Sequence, residues 1–273
     1  MSAAGRALWG PAGNKGVFCN MPQLKNVVVM GGTSKLGASI SSYLARQGCR
    51  VAAIGMAEEG GKPEGCAGLF DVNYSDVSTY PAAMQRADEA LGGIHVLVNA
   101  MDRYEPAGYQ DITPESWARA LDYNIKSVFF ASQAAVPYMK EHGGIIINLS
   151  SARGYAASVD QIPYAAAKAG VAAMTRDLAT DLGRYRIKVN SLMLFAEGER
   201  GFLTQESPDM DAVCSEIAFM MTEGAYYSLD AFDYPFDAGA TVLLGEIAGT
   251  AGAGTDCGGG KVAVITGGAG GLG

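Results

Sequence analysis

Lys25-Asn-Val-Val-Val-Met-Gly-Gly-Thr-Ser-Lys-Leu-Gly37 runs from an apolar stretch straight into spaced glycines. A continuous β-branched run of this kind suits a strand buried on both faces. The glycines make a tight turn, and apolar residues recur at helical spacing from Leu36 onward. Strand, glycine turn, helix is an order that the rest of the chain repeats in outline.

Working outward, apolar runs alternate with helical patterns, the signature of repeated β-α units and a parallel sheet. Strands are expected at 26–30, 50–54, 68–71, 94–99, a run ending at Leu149, 187–193 and 232–236. Helices are expected at 36–46, 75–91, 114–140 with a break near Asn124, 165–182 and 212–221. The predicted fold is α/β: a Rossmann-like, doubly wound, parallel seven-stranded sheet with helices on both faces.

Residues 1–24 read as a flexible tail, 25–242 as the folded domain, and 243–273 as an Ala/Gly-rich linker with a second beginning. In that last part, Lys261-Val-Ala-Val-Ile-Thr-Gly-Gly-Ala-Gly-Gly-Leu-Gly273 repeats the opening at a constant offset of 236 positions. A repeat one domain length away points to a tandem protein whose second copy is truncated. A chance glycine-rich tail and a swapped first strand are the alternatives.

With 273 residues, 49% of them apolar, the chain can bury one sizeable core. A net charge of −8 argues against nucleic acid or an anionic membrane as partner, because phosphate binding needs clustered cations. The five cysteines are scattered and odd in number, which suits reduced thiols and a cytoplasmic location. The tail carries Arg6 and Lys15 and no acid, so an organelle-targeting peptide stays open as the alternative. His95 and His142 lack ligand-like spacing, and no metal site is expected.

Tyr164 and Lys168 stand four residues apart in a helical stretch, thirteen residues after Ser151. Helical neighbours at that spacing share a face, so an ammonium can lie beside a phenol and favour its ionised form. Such a phenol can exchange a proton with an alcohol or carbonyl. The strand ending at Leu149 would deliver Ser151 to its C-terminal edge. A half-buried helix tyrosine with a solvated lysine, a capping serine and a helix-breaking Asn124 are the plainer readings.

Taken together, these motifs resemble the short-chain dehydrogenase/reductase family, over residues 25 to 242. The pattern Thr-Gly-x-x-x-Gly-x-Gly is met at Gly31 and Gly37, with Met30 and Lys35 departing from it. The resemblance implies an NAD(P)-dependent oxidoreductase moving hydride between nicotinamide and a small carbonyl or alcohol substrate. It implies cofactor contacts from Gly31, Thr33, Ser34, Lys35, Leu36 and Gly37, from Asp71 with Val72, and from Asn99. It further implies a catalytic set of Asn124, Ser151, Tyr164 and Lys168, with Tyr164 as acid/base and the last two also binding cofactor. Homo-dimers or tetramers are common in the family.

Several positions depart from the pattern. Asn99-Ala-Met-Asp102 stands for Asn-Asn-Ala-Gly, Leu194-Phe195 for Pro-Gly, and the lid stretch 196–211 is short. Gly55 stands where NAD-preferring relatives carry an acid, so with Lys35 nearby NADP(H) is mildly favoured over NAD(H). Lys35 as a solvated loop residue and Asp71 as a turn acid remain open. Arg153, Tyr155 and Tyr104 are candidate pocket residues. The rival reading is a nucleotide-binding or scaffolding domain without catalysis, favoured by the departures and opposed by the complete catalytic set.

Overall fold

The computed structural model describes residues 25–155, 159–194, 210–222, 225, 229–231 and 233–235. The expected tail, the linker with its repeat, nearly all of the lid stretch, and Phe195 lie outside the described residues.

Strand β1 (Asn26–Met30) is buried along its whole length. It pairs in parallel with β2 (Arg50–Gly55) on one side and β4 (Val96–Asn99) on the other. With β3 (Gly68–Asp71), β5 (Gly144–Ser151), β6 (Ile187–Leu194) and β7 (Asp233–Pro235), the sheet has seven strands in the order β3-β2-β1-β4-β5-β6-β7. The strand order reverses between β1 and β4, which opens a crevice at their C-terminal ends.

Side chains alternate across each strand, so β1 feeds two cores. Val28 and Met30 pack with Met84 and Leu91 of α2 (Tyr80–Leu91), Val128 and Ala131 of α4 (Ser127–Met139), and Val171 of α5 (Ile162–Leu182). Val27 and Val29 pack with Ile40 and Leu44 of α1 (Lys35–Arg46) and with Val213 and Ile217 of α6 (Met210–Met220). Among the described residues, no helix is long and apolar enough to cross a membrane.

The element edges differ from expectation in ways that matter for the site. Helix α5 begins at Ile162, because Pro163 fits the first turn of a helix rather than breaking it. Tyr164 therefore sits in that first turn. Helix α2 begins at Tyr80, after a short turn over Val77–Thr79 capped by the Asp76 carboxylate. The expected break near Asn124 is a π-helical turn, Asp122–Lys126, joining α3 (Pro114–Leu121) to α4 without ending the helix.

Candidate active site

The glycine turn follows β1 directly. Gly31 has φ +85° and packs against the backbone after β4, where an added Cβ would fall 2.8 Å from the Ala100 carbonyl carbon. An added Cβ on Gly37 would fall 2.1 Å from the Gly31 oxygen. Only glycine keeps this cradle open. Ser34 caps α1, accepting from the Gly37 amide at 3.0 Å and donating to the Gly31 carbonyl at 2.8 Å. The chain thus presents bare backbone at a helix N-terminus, which fits a pyrophosphate.

Lys35 is exposed and lines a cleft between α1 and α6 with Arg46, Glu64 and Asp211. Thr33 donates to Glu59 at 3.4 Å, and the Tyr123 hydroxyl reaches the same carboxylate at 3.2 Å. A carboxylate therefore does approach the glycine turn, four residues beyond Gly55. No side chain fits at Gly55 itself, because its Cβ would meet the Thr33 hydroxyl at 2.2 Å. Asp71 accepts from the Ala57 amide at 2.7 Å, and Val72 is buried beside it.

Asn99, fully buried, donates to Ser132 at 3.1 Å and to Asn148 at 2.8 Å. Asn148 continues the chain to Thr175 at 3.0 Å. This network ties β4, β5, α4 and α5 together at the crevice.

Tyr164 and Lys168 come together as their spacing predicts. Both are buried, and the Lys168 ammonium lies 5.7 Å from the Tyr164 ring centroid. The ammonium donates to the carbonyls of Met101 at 2.8 Å and Leu149 at 3.1 Å, and it pairs with the Asp102 carboxylate at 3.1 Å. The Tyr164 hydroxyl donates to the same Asp102 oxygen at 2.7 Å. Tyr104 stacks edge-on against the Tyr164 ring, with centroids 5.6 Å apart.

Ser151 ends β5, buried, and accepts from the Arg153 amide at 3.2 Å as the cap of a short turn. Asn124 sits in the π-helical turn, fully buried, and clamps the backbone of Arg103 from both sides. Its amide nitrogen donates to the Arg103 and Ala120 carbonyls, and its oxygen accepts from the Arg103 amide at 3.0 Å.

A cavity of about 140 Å³ opens beside Tyr164, lined by Glu105, Asp111, Ser116, Arg119 and Pro163 among others. Glu105 bridges Arg103 at 2.9 Å and Arg119 at 3.4 Å. Of the pocket candidates from sequence, Tyr104 touches Tyr164, whereas Arg153 and Tyr155 are not among the residues lining this cavity. Asp102, Glu59, Glu105 and Arg119 were not expected as site residues. Only Asp102 left a trace, at the place where the glycine of the family pattern is missing.

A parallel sheet that reverses beside a glycine cradle, with a buried Tyr-Lys pair at the same edge, defines a Rossmann-type α/β domain. The chain belongs to the short chain dehydrogenase family, whose pattern matches residues 25–195. It is 35% identical over 198 residues to "Probable galactose dehydrogenase GalD" of Rhizobium meliloti, covering 67% of this chain and 77% of that one. It is 34% identical over 174 residues to 3-alpha-(or 20-beta)-hydroxysteroid dehydrogenase of Mycobacterium bovis, covering 62% and 67%. A crystal structure of a short chain dehydrogenase from Bacillus anthracis superposes with a TM-score of 0.70 at 24% identity, covering 81% of this chain and 98% of that chain. The similarity supports an oxidoreductase that acts on a small molecule.

Proposed function

We propose that this chain is an NAD(P)-dependent oxidoreductase in which Tyr164 exchanges the proton on a substrate carbonyl or hydroxyl oxygen. The observation that carries the reading is the buried ammonium of Lys168 beside the buried phenol of Tyr164, at the edge where the glycine cradle lies. When bound, a nicotinamide supplies or removes the hydride.

The chain's own residues would do the rest. Gly31, Ser34, Lys35, Leu36 and Gly37 form the phosphate end, with Thr33, Asp71, Val72 and Asn99 along the crevice. Lys168 orients the sugar and favours the ionised phenol. Ser151, whose oxygen accepts in the cap, would donate its hydroxyl proton to the substrate oxygen and steady charge building on it. The side-chain donors of Asn124 are both used by carbonyls, so any part it has in a proton path falls to its main chain.

The expectation of NADP(H) rested on the missing acid at Gly55 together with the nearby Lys35. Glu59 beside Thr33 supplies one, and a carboxylate accepts ribose hydroxyls but repels a 2′-phosphate. We therefore favour NAD(H). The polar wall of Glu105, Ser116 and Arg119 suits a small hydroxylated substrate, and the relatives' sugar and steroid alcohols set the range to screen.

Two measurements test the proposal. Equilibrium titration with NADH and NADPH should give binding, tighter for NADH; binding of neither removes the oxidoreductase reading. Tyr164→Phe should lower turnover of the best substrate from an alcohol and carbonyl panel by about 10²–10⁴-fold, with the fold retained. Turnover preserved in that variant refutes the role of Tyr164.

A further inference from the structure

An ammonium has three N–H donors and a phenol one. In this chain all four are taken by the protein itself. Lys168 meets the Met101 carbonyl, the Leu149 carbonyl and Asp102, and Tyr164 meets Asp102. Two of the three acceptors on Lys168 are main-chain atoms, whereas the third is a side chain that can rotate away. One Asp102 oxygen therefore stands where a substrate oxygen or a sugar hydroxyl would accept from the pair.

We propose that Asp102 is a third member of the Tyr164–Lys168 pair: a positioning carboxylate that holds the phenol's proton and offsets the ammonium's charge. The pair works only once this carboxylate has been displaced. The proposal rests on Tyr164 being the acid/base group.

The electrostatics run one way. A cation beside a phenol favours the ionised form, and an anion accepting the phenol's proton bond favours the neutral form. The Asp102 side chain is 12% exposed and that of Lys168 0%, so water screens neither strongly. Among the described residues, the other charged and titratable groups around the pair include Tyr104, against the Tyr164 ring, and Glu105, Asp111 and Arg119 on the adjoining cavity. The Arg103 guanidinium is drawn to Glu105 rather than to its sequence neighbour. Helix α5 contributes Tyr164 and Lys168, and β5 contributes the Leu149 carbonyl.

The test uses the whole chain without nucleotide. Tyrosinate absorbance is followed through an alkaline titration, and subtracting the same curve for Tyr164→Phe isolates this phenol from the other tyrosines. Asp102→Asn keeps the shape without the charge, and Asp102→Gly restores the family's residue. Each is paired with its own Tyr164→Phe reference. The phenol should ionise about one pH unit lower, or more, in both variants. NADH should also bind about tenfold tighter to Asp102→Gly, which has no side chain to displace.

An ionisation curve unmoved in both variants, with each still folded by far-UV circular dichroism, overturns the proposal. A curve that moves while Tyr164→Phe still turns over substrate would keep the contact and sink the acid/base reading, so the two failures differ. Should Asp102→Asn not fold, Asp102→Gly alone decides.

Discussion

Replacing Lys168 by methionine keeps most of the stem volume and deletes the buried cation. Three acceptors lose the ammonium: the carbonyls of Met101 and Leu149 and the Asp102 carboxylate, which keeps only the Tyr164 hydroxyl. The carbonyls lose charged hydrogen bonds, and the carboxylate becomes a nearly buried charge without its counter-ion. Removing one member of a buried ion pair costs about 3–5 kcal/mol, so Lys168→Met should be destabilised by about 4 kcal/mol. Asp102→Asn still leaves an amide oxygen to accept from both donors and should cost about 1–2 kcal/mol. In the double variant no uncompensated charge remains. Its loss should fall short of the summed single losses by about 1–3 kcal/mol, the size expected for groups in contact. Urea unfolding of the four proteins, followed by far-UV circular dichroism, measures the cycle. Additivity within about 0.5 kcal/mol would refute the Asp102–Lys168 contact and with it the account of the site.

Gly37→Ala places a Cβ 2.1 Å from the Gly31 oxygen, a clash of backbone with backbone. It should cost about 3 kcal/mol and abolish nucleotide binding, and a wild-type melting curve with intact binding would contradict the cradle. Asn99→Ala removes the donor to both Ser132 and Asn148 in a fully buried network. A loss of about 2 kcal/mol in chemical unfolding is expected, and a neutral effect would argue against that network. Burial, and secondarily the charge of His142, holds the His95 imidazole below its usual range, and its Nδ1 faces the Asn26 amide at 3.4 Å. The unfolded chain then takes up the proton first as pH falls. This contribution to stability is intact above about pH 6.5 and declines below it. The drop in melting temperature from about pH 7 to about pH 5.5 should be smaller in His95→Gln than in wild type; an equal drop excludes His95 as the cause.

The sheet was legible because strand segments such as Val27–Met30 and Ile145–Ile147 are apolar on both faces, and such runs allow few other placements. The Tyr164–Lys168 pair was legible because helical spacing alone brings positions i and i+4 together. Contacts made by loops were not. Glu59 reaches Thr33 only because the chain after β2 folds back toward the glycine turn, and no periodicity encodes that return. The departure at Asp102 was visible as a missing glycine, yet its meaning depends on where a side chain points after β4. Likewise the turn at Asn124 was read as a break, since sequence spacing does not tell an interrupted helix from one holding a wider turn.

That wider turn has a mechanical consequence. By gripping both the amide and the carbonyl of Arg103, Asn124 treats the segment after β4 as a neighbouring strand would, though it belongs to a helix. Met101 and Asp102, which hold the buried ammonium, sit two positions and one position upstream of that grip. A push on the junction of α3 and α4 from outside the crevice would therefore arrive at Lys168 as a displacement of its acceptors.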